Sequence, residues 1–322
     1  MTLLYADRRF LDHDTGRHPE CSNRLEHITR LLDSSGVADR CVRPTWQPAG
    51  DAELHAVHDA DYLDAVAALA GRGGGRIDAD TVVSSASFDV ARLAAGAACD
   101  AVRRVVGGED RSALCLVRPP GHHAVADRAM GFCLLGNVAV AARVALDELQ
   151  LARVLIVDWD VHHGNGTQDM FYDEGRVGYF SAHRWPFYPG TGAADETGRG
   201  DGLGATKNLP IEFGTPRRDY LSRFAGELDA FAGRIKPQLV LISAGFDSHA
   251  ADPIGSLGLE TEDFAELTRI VQAVANDHAA GRIVSVLEGG YNPPVLAECV
   301  AVHLEELCRA TARSASKGAW GD

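Results

Sequence analysis

Short apolar runs alternate with longer helical patterns along the chain, and this alternation restricts the fold more than any other feature. Each apolar run has the length of a buried strand and is followed by glycine, proline or polar residues. Such alternation is typical of a mainly parallel sheet with helices on both faces, so we predict an α/β fold. The predicted strands cover residues 113–117, 154–158, 177–181, 239–243 and 283–287, and the predicted helices cover residues 23–32, 87–106, 137–149, 216–234, 261–278 and 293–312.

Length alone would allow one large domain or two, but the composition along the chain favours one. The chain has 322 residues, 46% of them hydrophobic, and no stretch has the composition of an interdomain linker. We therefore predict one domain over residues 1–312 and a polar tail over residues 313–322. The segment 190–204 is rich in glycine, threonine and acidic residues, which predicts a long surface loop of the kind that often serves function.

Charge and cysteine content restrict the partners and the compartment. The formal net charge of -14 argues against binding nucleic acid, whose phosphates need lysine and arginine. The seven cysteines include no Cys-x-x-Cys pair, which indicates reduced thiols. The N-terminus does not read as a signal peptide, and no apolar run is long enough to span a bilayer. We expect a soluble cytoplasmic protein, and the sequence predicts no particular oligomeric state.

Polar clusters directly follow several predicted strands, at the end where parallel α/β folds form their sites. Asp158 ends the predicted strand at 154–158, and Asp160 and His162 follow it, each separated from the next by one apolar residue. Side chains two apart on an extended chain point the same way, so Asp160 and His162 can reach one metal ion together. A carboxylate oxygen with an imidazole nitrogen suits a catalytic zinc or iron ion. Further polar clusters follow other strands at 118–124, 244–249 and 288–291.

Each cluster alone also has an ordinary structural interpretation. A histidine pair such as His122 and His123 is more often found on the surface than in a catalytic site. Asp247 would suit a helix cap, and Tyr291 after two glycines would suit a tight turn beside the core. The clusters recur at the same structural position, however, and this recurrence favours one shared pocket.

Together these motifs resemble those of the histone deacetylase family, particularly its class II branch and the related bacterial amidohydrolases. The resemblance runs from about residue 13 to about residue 305, with motif order and spacing preserved. It implies a single-domain α/β fold of the arginase–deacetylase type. The matching segments are His18-Pro19-Glu20 with Arg24, and residues 118–124, 131–133, 158–168, 244–247 and 288–291.

The resemblance implies a metal centre and a catalytic histidine pair. Asp160, His162 and Asp247 would bind the metal, usually zinc, with iron(II) as the second candidate, and would leave positions open for water and substrate. The tandem histidines would be His122, an electrostatic helper oriented by Asp158, and His123, which acts as general base and then general acid. Asn165 would face His123 where class I relatives carry aspartate, and a neutral partner should hold the protonated form of His123 less strongly.

The resemblance also implies an oxyanion donor and an aromatic tunnel. Tyr291 would donate a hydrogen bond to the oxyanion, and Gly289 and Gly290 would let the backbone approach the substrate. Phe132, beside Gly131, would form one wall of the tunnel. Phe187 or Tyr188 would form the other; Tyr188 fits best beside its proline, although the family more often has phenylalanine there. These aromatic residues could also be ordinary core residues. A potassium site, largely of main-chain oxygens, is implied at Asp158, Asp160, His162, Ser181 and Ala182.

The implied activity is metal-dependent hydrolysis of an acylated amine, an acetyl-lysine or a small acetylated amine, to a free amine and acetate. A ureohydrolase with two manganese ions ranks lower, because His163 and Asn165 stand where it would need another acid. An inactive acyl-binding module is a third alternative, which the intact Tyr291 disfavours. The chain lacks a long insertion between His58 and Ser87, where polyamine-directed members of the resembled family often carry a loop, and this tilts the prediction away from polyamines.

Overall fold

A parallel sheet forms the centre of the molecule. The computed structural model describes residues 2–317. Within that range the main sheet has eight strands in the order β2-β1-β5-β10-β9-β6-β7-β8, and each neighbouring pair runs parallel. The strands are β1 (Thr2–Tyr5), β2 (Cys41–Val42), β3 (Gly74–Arg76), β4 (Val82–Ser84), β5 (Ser112–Cys115), β6 (Val154–Asp158), β7 (Val177–Trp185), β8 (Thr206–Glu212), β9 (Leu239–Ala244) and β10 (Ile283–Leu287).

Helices flank this sheet, as the alternation predicts, so the predicted α/β class with a mainly parallel sheet is confirmed. A separate antiparallel pair, β3 and β4, lies outside it. The α-helices are α1 (Asn23–Ser35), α2 (Asp51–His55), α3 (Ala60–Gly71), α4 (Ser87–Val106), α5 (Asn137–Arg143), α6 (Asn165–Phe171), α7 (Arg217–Ile235), α8 (Thr261–His278) and α9 (Pro293–Lys317). None of the helices in the described residues is long and apolar enough to cross a membrane.

The structure contains several elements that were not predicted. They are the strands β1, β2, β3, β4 and β8 and the helices α2, α3 and α6. Strand β8 carries Pro210, which has no N–H to give to a ladder, and a sheet tolerates this at its edge. Strand β7 continues to Trp185, four residues beyond the predicted end at 181, and so carries His183 into the sheet.

Helix α1 continues three residues past its predicted end, to Ser35, and two other predicted helices differ by more. The predicted helix at 137–149 is α5 followed by a π-helical turn at Val144–Glu148, in which Leu149 N–H donates to Val144 O. The apolar pattern continues through this turn, so the sequence did not mark the change in hydrogen bonding. Helix α9 continues to Lys317, past the predicted domain end at 312. Residues 318–322 of the predicted tail lie outside the described residues, so the tail stays a prediction.

The register of the strands gathers the polar clusters at one edge of the sheet. Asp158 pairs with Ser243 on β9 and with Ser181 on β7, so the residues that follow β6, β7 and β9 leave the sheet side by side. Strand β10 lies between β9 and β5, which brings the segments after those three strands together as well. The five residues of β6 are all buried, and this fixed core determines where the next side chains point.

Candidate active site at the carboxyl ends of the strands

Two carboxylates and an imidazole converge where β6 and β9 end. Asp160 and His162 follow β6, and Asp247 follows β9. One ligand atom from each lies within 4.8 Å of the other two, and all three residues are buried. His162 Nδ1 lies 3.0 Å from an Asp160 oxygen and 3.1 Å from an Asp247 oxygen. The structure therefore brings together the three residues predicted as metal ligands.

The surroundings of this triad fit a divalent cation. Gly289 N–H donates to Asp160 Oδ2 at 2.8 Å, and Val161 N–H donates to Asp247 Oδ1 at 2.9 Å. Asp247 Oδ2 is buried and accepts no well-aligned hydrogen bond from the described residues, and its close polar neighbour is His162 Nδ1 at 3.1 Å. A Cβ atom on Gly289 would come within 2.3 Å of that oxygen, so only glycine leaves it open. A buried carboxylate oxygen without a well-aligned donor is costly, and a cation would satisfy it.

The charges of the triad are mutually dependent. Burial and the neighbouring Asp160 carboxylate raise the pKa of Asp247 to about 7. Burial alone would lower the pKa of His162, but its contacts with Asp160 and Asp247 outweigh burial and raise that pKa to about 10. Without a metal ion, the carboxylates of Asp160 and Asp247 therefore stabilise a proton on His162, which lies between them. A divalent cation would replace that proton, so binding should release it.

The tandem histidines have different partners. His122 Nδ1–H donates to Asp158 Oδ2 at 3.0 Å, whereas His123 Nδ1–H donates to the Asn165 side-chain oxygen at 2.9 Å. The two rings lie 4.0 Å apart between centroids. With Nδ1 engaged in each ring, Nε2 is the nitrogen left to act in proton transfer, and in neutral His123 it carries a lone pair.

These partners move the pKa values of the two histidines in opposite directions. Burial lowers the pKa of His122, but the charges of Asp158 and Asp160 outweigh it and raise the pKa to about 10. Burial and the positive charges of His122 and His162 lower the pKa of His123 well below its usual value. At neutral pH one ring is therefore a cation and the other a neutral base, which is how neighbouring titratable groups divide catalytic roles.

Tyr291 enters the site from the glycine pair after β10. Gly290 has φ +124°, and a Cβ there would come within 2.7 Å of Leu296 Cδ1, so this turn requires glycine. Tyr291 N–H donates to Asp252 Oδ2 at 2.6 Å. Burial and the negative charges of Asp247 and Asp160 raise the pKa of the Tyr291 phenol well above its usual value. The phenol therefore keeps its proton and can serve as a hydrogen-bond donor.

A buried ionic cluster holds the backbone of this turn. Arg24 Nε–H donates to Gly290 O at 2.7 Å, and its guanidinium lies 5.2 Å from the centroid of the Tyr291 ring. Glu20 joins Arg24 to Arg118 through contacts of 3.1 and 2.8 Å. The sequence identified Glu20, Arg24 and Arg118 only as parts of matching motifs, because nothing local shows that they meet.

Glu288 is a further site residue to which the sequence gave no role. Its Oε2 atom accepts Gly121 N–H at 2.7 Å and His122 N–H at 3.2 Å, so it fixes the backbone that carries the histidine pair. Burial is the main cause that raises its pKa to about 7. Its position directly after β10 was the available signal. Glu288, His122 and Cys133 also lie close enough to share an ion, but His122 already belongs to the site described.

Three aromatic side chains lie beside the site, two against its histidines and one against Tyr291. The Phe187 ring stacks on His162 at 5.2 Å between centroids, and the Tyr188 ring meets His123 edge-on at 5.2 Å. Phe132, at φ +70°, lies 5.6 Å from the Tyr291 ring. A Cβ on Gly131 would come within 2.5 Å of His123, which explains a glycine before Phe132. The structure brings both candidates for the second wall to the site, so that choice stays a prediction.

The residues predicted to bind potassium also lie beside the site. Asp158 and Ser181 are register partners on β6 and β7, and Ala182 follows. Asp158 Oδ1 accepts Asp160 N–H at 3.1 Å, and the Tyr179 hydroxyl donates to Asp158 Oδ2 at 3.2 Å. Asp158 is therefore occupied by several donors, and the potassium site stays a prediction.

Comparison with known proteins agrees with this geometry. The family model described as the histone deacetylase domain matches residues 18–307. The chain belongs to the histone deacetylase family. The crystal structure of the HDA15 HD domain superposes with a TM-score of 0.89, covering 96% of this chain and 90% of that one at 35% identity. The predicted family and fold type are therefore confirmed.

Several curated relatives of this histone deacetylase family member carry deacetylase or amidohydrolase names. A histone deacetylase-like amidohydrolase of Pseudomonas aeruginosa is 38% identical over 291 residues, 90% of this chain and 77% of the relative. A probable deacetylase of Archaeoglobus fulgidus is 39% identical, covering 91% and 82%. The human polyamine deacetylase HDAC10 is 42% identical, covering 90% of this chain but 45% of its own. These similarities support a deacetylase and favour it over a ureohydrolase.

Proposed function

We propose that this protein is a metal-dependent amidohydrolase that removes the acetyl group from an acetylated amine, either acetyl-lysine or a small acetylated amine. Zinc is the proposed metal, with iron(II) as the second candidate. The observation that carries the proposal is the convergence of Asp160, His162 and Asp247 beside a neutral histidine and a protonated tyrosine. A carboxylate-rich, three-ligand site of this kind leaves positions for water and a carbonyl oxygen.

The residues around the triad have the properties that amide hydrolysis requires. A bound divalent cation would supply the charge that acidifies a water molecule and polarises the acyl oxygen. His123, neutral at Nε2, takes a proton from the attacking water. His122, a cation fixed by Asp158, stabilises the negative charge that develops nearby. The Tyr291 hydroxyl donates a hydrogen bond to the oxyanion.

The leaving group is an amine, which needs a proton when the carbon–nitrogen bond breaks. His123 is protonated by the first step, so it can return that proton from Nε2 to the amine nitrogen. The weak hold of Asn165 on the imidazolium favours this return. Phe132 and Tyr188 would enclose the methylene stem of the substrate, and Gly289 and Gly290 would leave room for its acyl end.

The test is a substrate panel assayed with and without a chelator. We expect hydrolysis of a fluorogenic acetyl-lysine peptide, of an acetylated polyamine, or of a small acylamine to be lost on chelation and restored by zinc or iron(II). The human relative is named a polyamine deacetylase, so the polyamine belongs in the panel. Hydrolysis that persists without metal would contradict the proposal. Metal analysis that gives two ions per chain would favour the ureohydrolase alternative.

Asn165→Asp tests the assignment of His123 as the base. The new carboxylate would lie about 3 Å from His123 Nδ1, where an opposite charge typically raises a pKa by about 1–3 units. The base must be neutral to act, so the acidic limb of the kcat/KM profile should move to higher pH by about one unit or more. The measurement is kcat/KM from pH 5 to 9 in both proteins. An unmoved acidic limb would show that another group accepts the proton.

A further inference from the structure

The loop between β7 and β8 carries the aromatic wall of the site, and a compact hydrogen-bond cluster fixes its middle. This cluster, the loop clasp, consists of His163, Gln168, Glu196 and the main chain of Gly192 and Ala193. Gly192 N–H and Ala193 N–H both donate to the Glu196 carboxylate at 3.0 Å. Gln168 Nε2–H donates to the same carboxylate at 2.6 Å. One carboxylate therefore joins the loop to helix α6.

Neighbouring groups determine which atom donates and which accepts in each hydrogen bond of the loop clasp. Gln168 Oε1 accepts from His163 Nε2–H at 3.0 Å and from Asn208 Nδ2–H at 2.7 Å. Because Nε2 of His163 carries the hydrogen that meets Gln168 Oε1, Nδ1 of the neutral ring accepts from the Thr191 hydroxyl at 2.8 Å. If the Gln168 side-chain amide were flipped, Oε1 would lose the donors from both His163 and Asn208. The Gln168 amide nitrogen must therefore meet an acceptor, which is Glu196.

Gly192 brings the loop into close contact with two buried histidines. Its φ is +93°, and a Cβ there would come within 2.5 Å of His183 Nε2 and 2.7 Å of His163 Cγ. His183 Nε2–H donates to Gly192 O at 3.0 Å. The loop thus rests directly on His163, the neighbour of the candidate metal ligand His162.

The clasped segment is continuous with the aromatic wall. Gly190 N–H donates to Phe187 O at 2.9 Å, which closes a turn only two residues before Gly192. Phe187 stacks on His162, and Tyr188 meets His123 edge-on. Tyr188 is 39% exposed, so its own packing holds it weakly and the turn must fix its position.

We propose that Glu196 is a positioning residue that sets the place of Tyr188 through the loop clasp and thereby determines how tightly the enzyme grips the methylene stem of its substrate. This inference rests on the proposed function. It assigns a role to a carboxylate that lies outside the metal site and that touches neither the metal ligands nor the histidine pair. Its consequence is selective: substrates with a long stem should depend on Glu196, and stemless acylamines should not.

An exchange of the carboxylate and the amide tests the loop clasp. In Glu196→Gln one carboxylate oxygen becomes an N–H group, which faces either Gln168 Nε2 or the N–H groups of Gly192 and Ala193, so donors oppose each other in either orientation. Gln168→Glu alone places two carboxylates in contact. Combining the two substitutions restores one carboxylate and one amide in exchanged places. We expect amide hydrogen exchange at Gly192 and Ala193 to accelerate on the order of tenfold in each single variant and to recover in the double variant. Unchanged exchange in Glu196→Gln would contradict the loop clasp.

Kinetics of the same variants connect the loop clasp to the substrate. For an acetyl-lysine peptide we expect Glu196→Gln to raise KM by about fivefold or more with kcat within about twofold, because lost uniform binding changes KM alone. The KM of a small acylamine should stay the same. Asp195→Asn, which removes the neighbouring exposed charge, is the matched control and should change neither constant.

The outcomes separate this inference from the proposed function. Hydrogen exchange needs no turnover, so a wild-type enzyme that hydrolyses no acylated amine contradicts the proposed function while exchange still tests the loop clasp. A loosened loop with an unchanged KM for the peptide would overturn the role of Glu196 in substrate grip. A fall in kcat with KM unchanged would also overturn it, because that pattern indicates a role in the chemical step. Recovery of KM in the double variant is the result that supports the inference most directly.

Discussion

Tyr291→Phe is expected to lower kcat by at least about tenfold while KM stays close to its wild-type value. Loss of one oxyanion donor typically costs about 10²–10³ in kcat, and tenfold is the low end that we expect here because a bound cation would share the charge of the oxyanion. Substrate binding should survive, since the hydrogen bond from the phenol forms fully only when negative charge develops on the acyl oxygen.

The surroundings of Tyr291 make this substitution a clean test. Phenylalanine keeps the ring that packs against Phe132 and lies under the Arg24 guanidinium. The backbone anchor, Tyr291 N–H to Asp252, is independent of the hydroxyl. Only the proton donor is removed, and the raised pKa of the phenol indicates that this donor is present at neutral pH.

Steady-state kinetics on the acetyl-lysine peptide, with metal content measured in parallel, would check this prediction. Tyr172→Phe is a suitable control because Tyr172 is the cap residue that follows helix α6, whereas Tyr291 follows β10. Near-normal turnover in Tyr291→Phe would refute the role of the phenol as oxyanion donor. A raised KM with unchanged kcat would instead place Tyr291 in substrate binding.

The local part of the site could be predicted because its residues lie at or directly after the end of one buried strand. Asp158 ends β6, and Asp160 and His162 come together just beyond it, although the chain bends over residues 160–162 and is not extended there. Asp247 could be predicted only from its position after another strand, because sheet order places β9 beside β6. In both cases a buried strand fixes the direction of the backbone just before the functional residue.

The parts that escaped prediction depend on contacts between distant segments. Glu20 and Arg118 lie 98 positions apart in the chain, yet their side chains meet in the buried cluster behind Gly290. Glu288 follows a predicted strand, but its role depends on the backbone of Gly121 across the sheet. Glu196 lies in a glycine-rich loop without periodicity, so the sequence offered no pattern for its contacts. Pairings of this kind follow from the fold and cannot be read from spacing.

The edge strands β2 and β8 could not be predicted from the sequence for a different reason. Strand β8 carries charged residues and Pro210, because one side of an edge strand has no partner and needs no continuous apolar run. Strand β2 has two residues, too few for any pattern to show. The central strands β9, β6 and β10 are buried on both faces and appear in the sequence as plain apolar runs, which is why they could be predicted within a residue.

Asp247→Ala is expected to abolish tight metal retention and, with it, activity. The substitution removes one of three ligands, so the loss of metal affinity should exceed the roughly 10–100-fold that changes in the hydrogen-bond partners of ligands usually cause. Metal content after dialysis, measured by elemental analysis, should fall to a small fraction of one ion per chain. Asp277→Ala, at an exposed position near the end of α8, is the control for a lost carboxylate.

Asp247→Asn separates metal binding from folding. Asp247 Oδ1 also accepts Val161 N–H, so alanine leaves a buried donor without a partner and could lower stability by about 1–3 kcal/mol. Asparagine keeps an oxygen for Val161 but removes the negative charge that a divalent cation needs. We therefore expect Asp247→Asn to melt near the temperature of the metal-free wild type and still to lose its metal. Because His162 holds a proton when the metal is absent, and Asp247 with its pKa of about 7 holds a further fraction of one, metal binding near neutral pH should also release more than one proton in the wild type, which calorimetry in buffers of different ionisation enthalpy can measure. Full metal stoichiometry in both variants would remove Asp247 from the ligand set, and with it the geometric basis of the proposed chemistry.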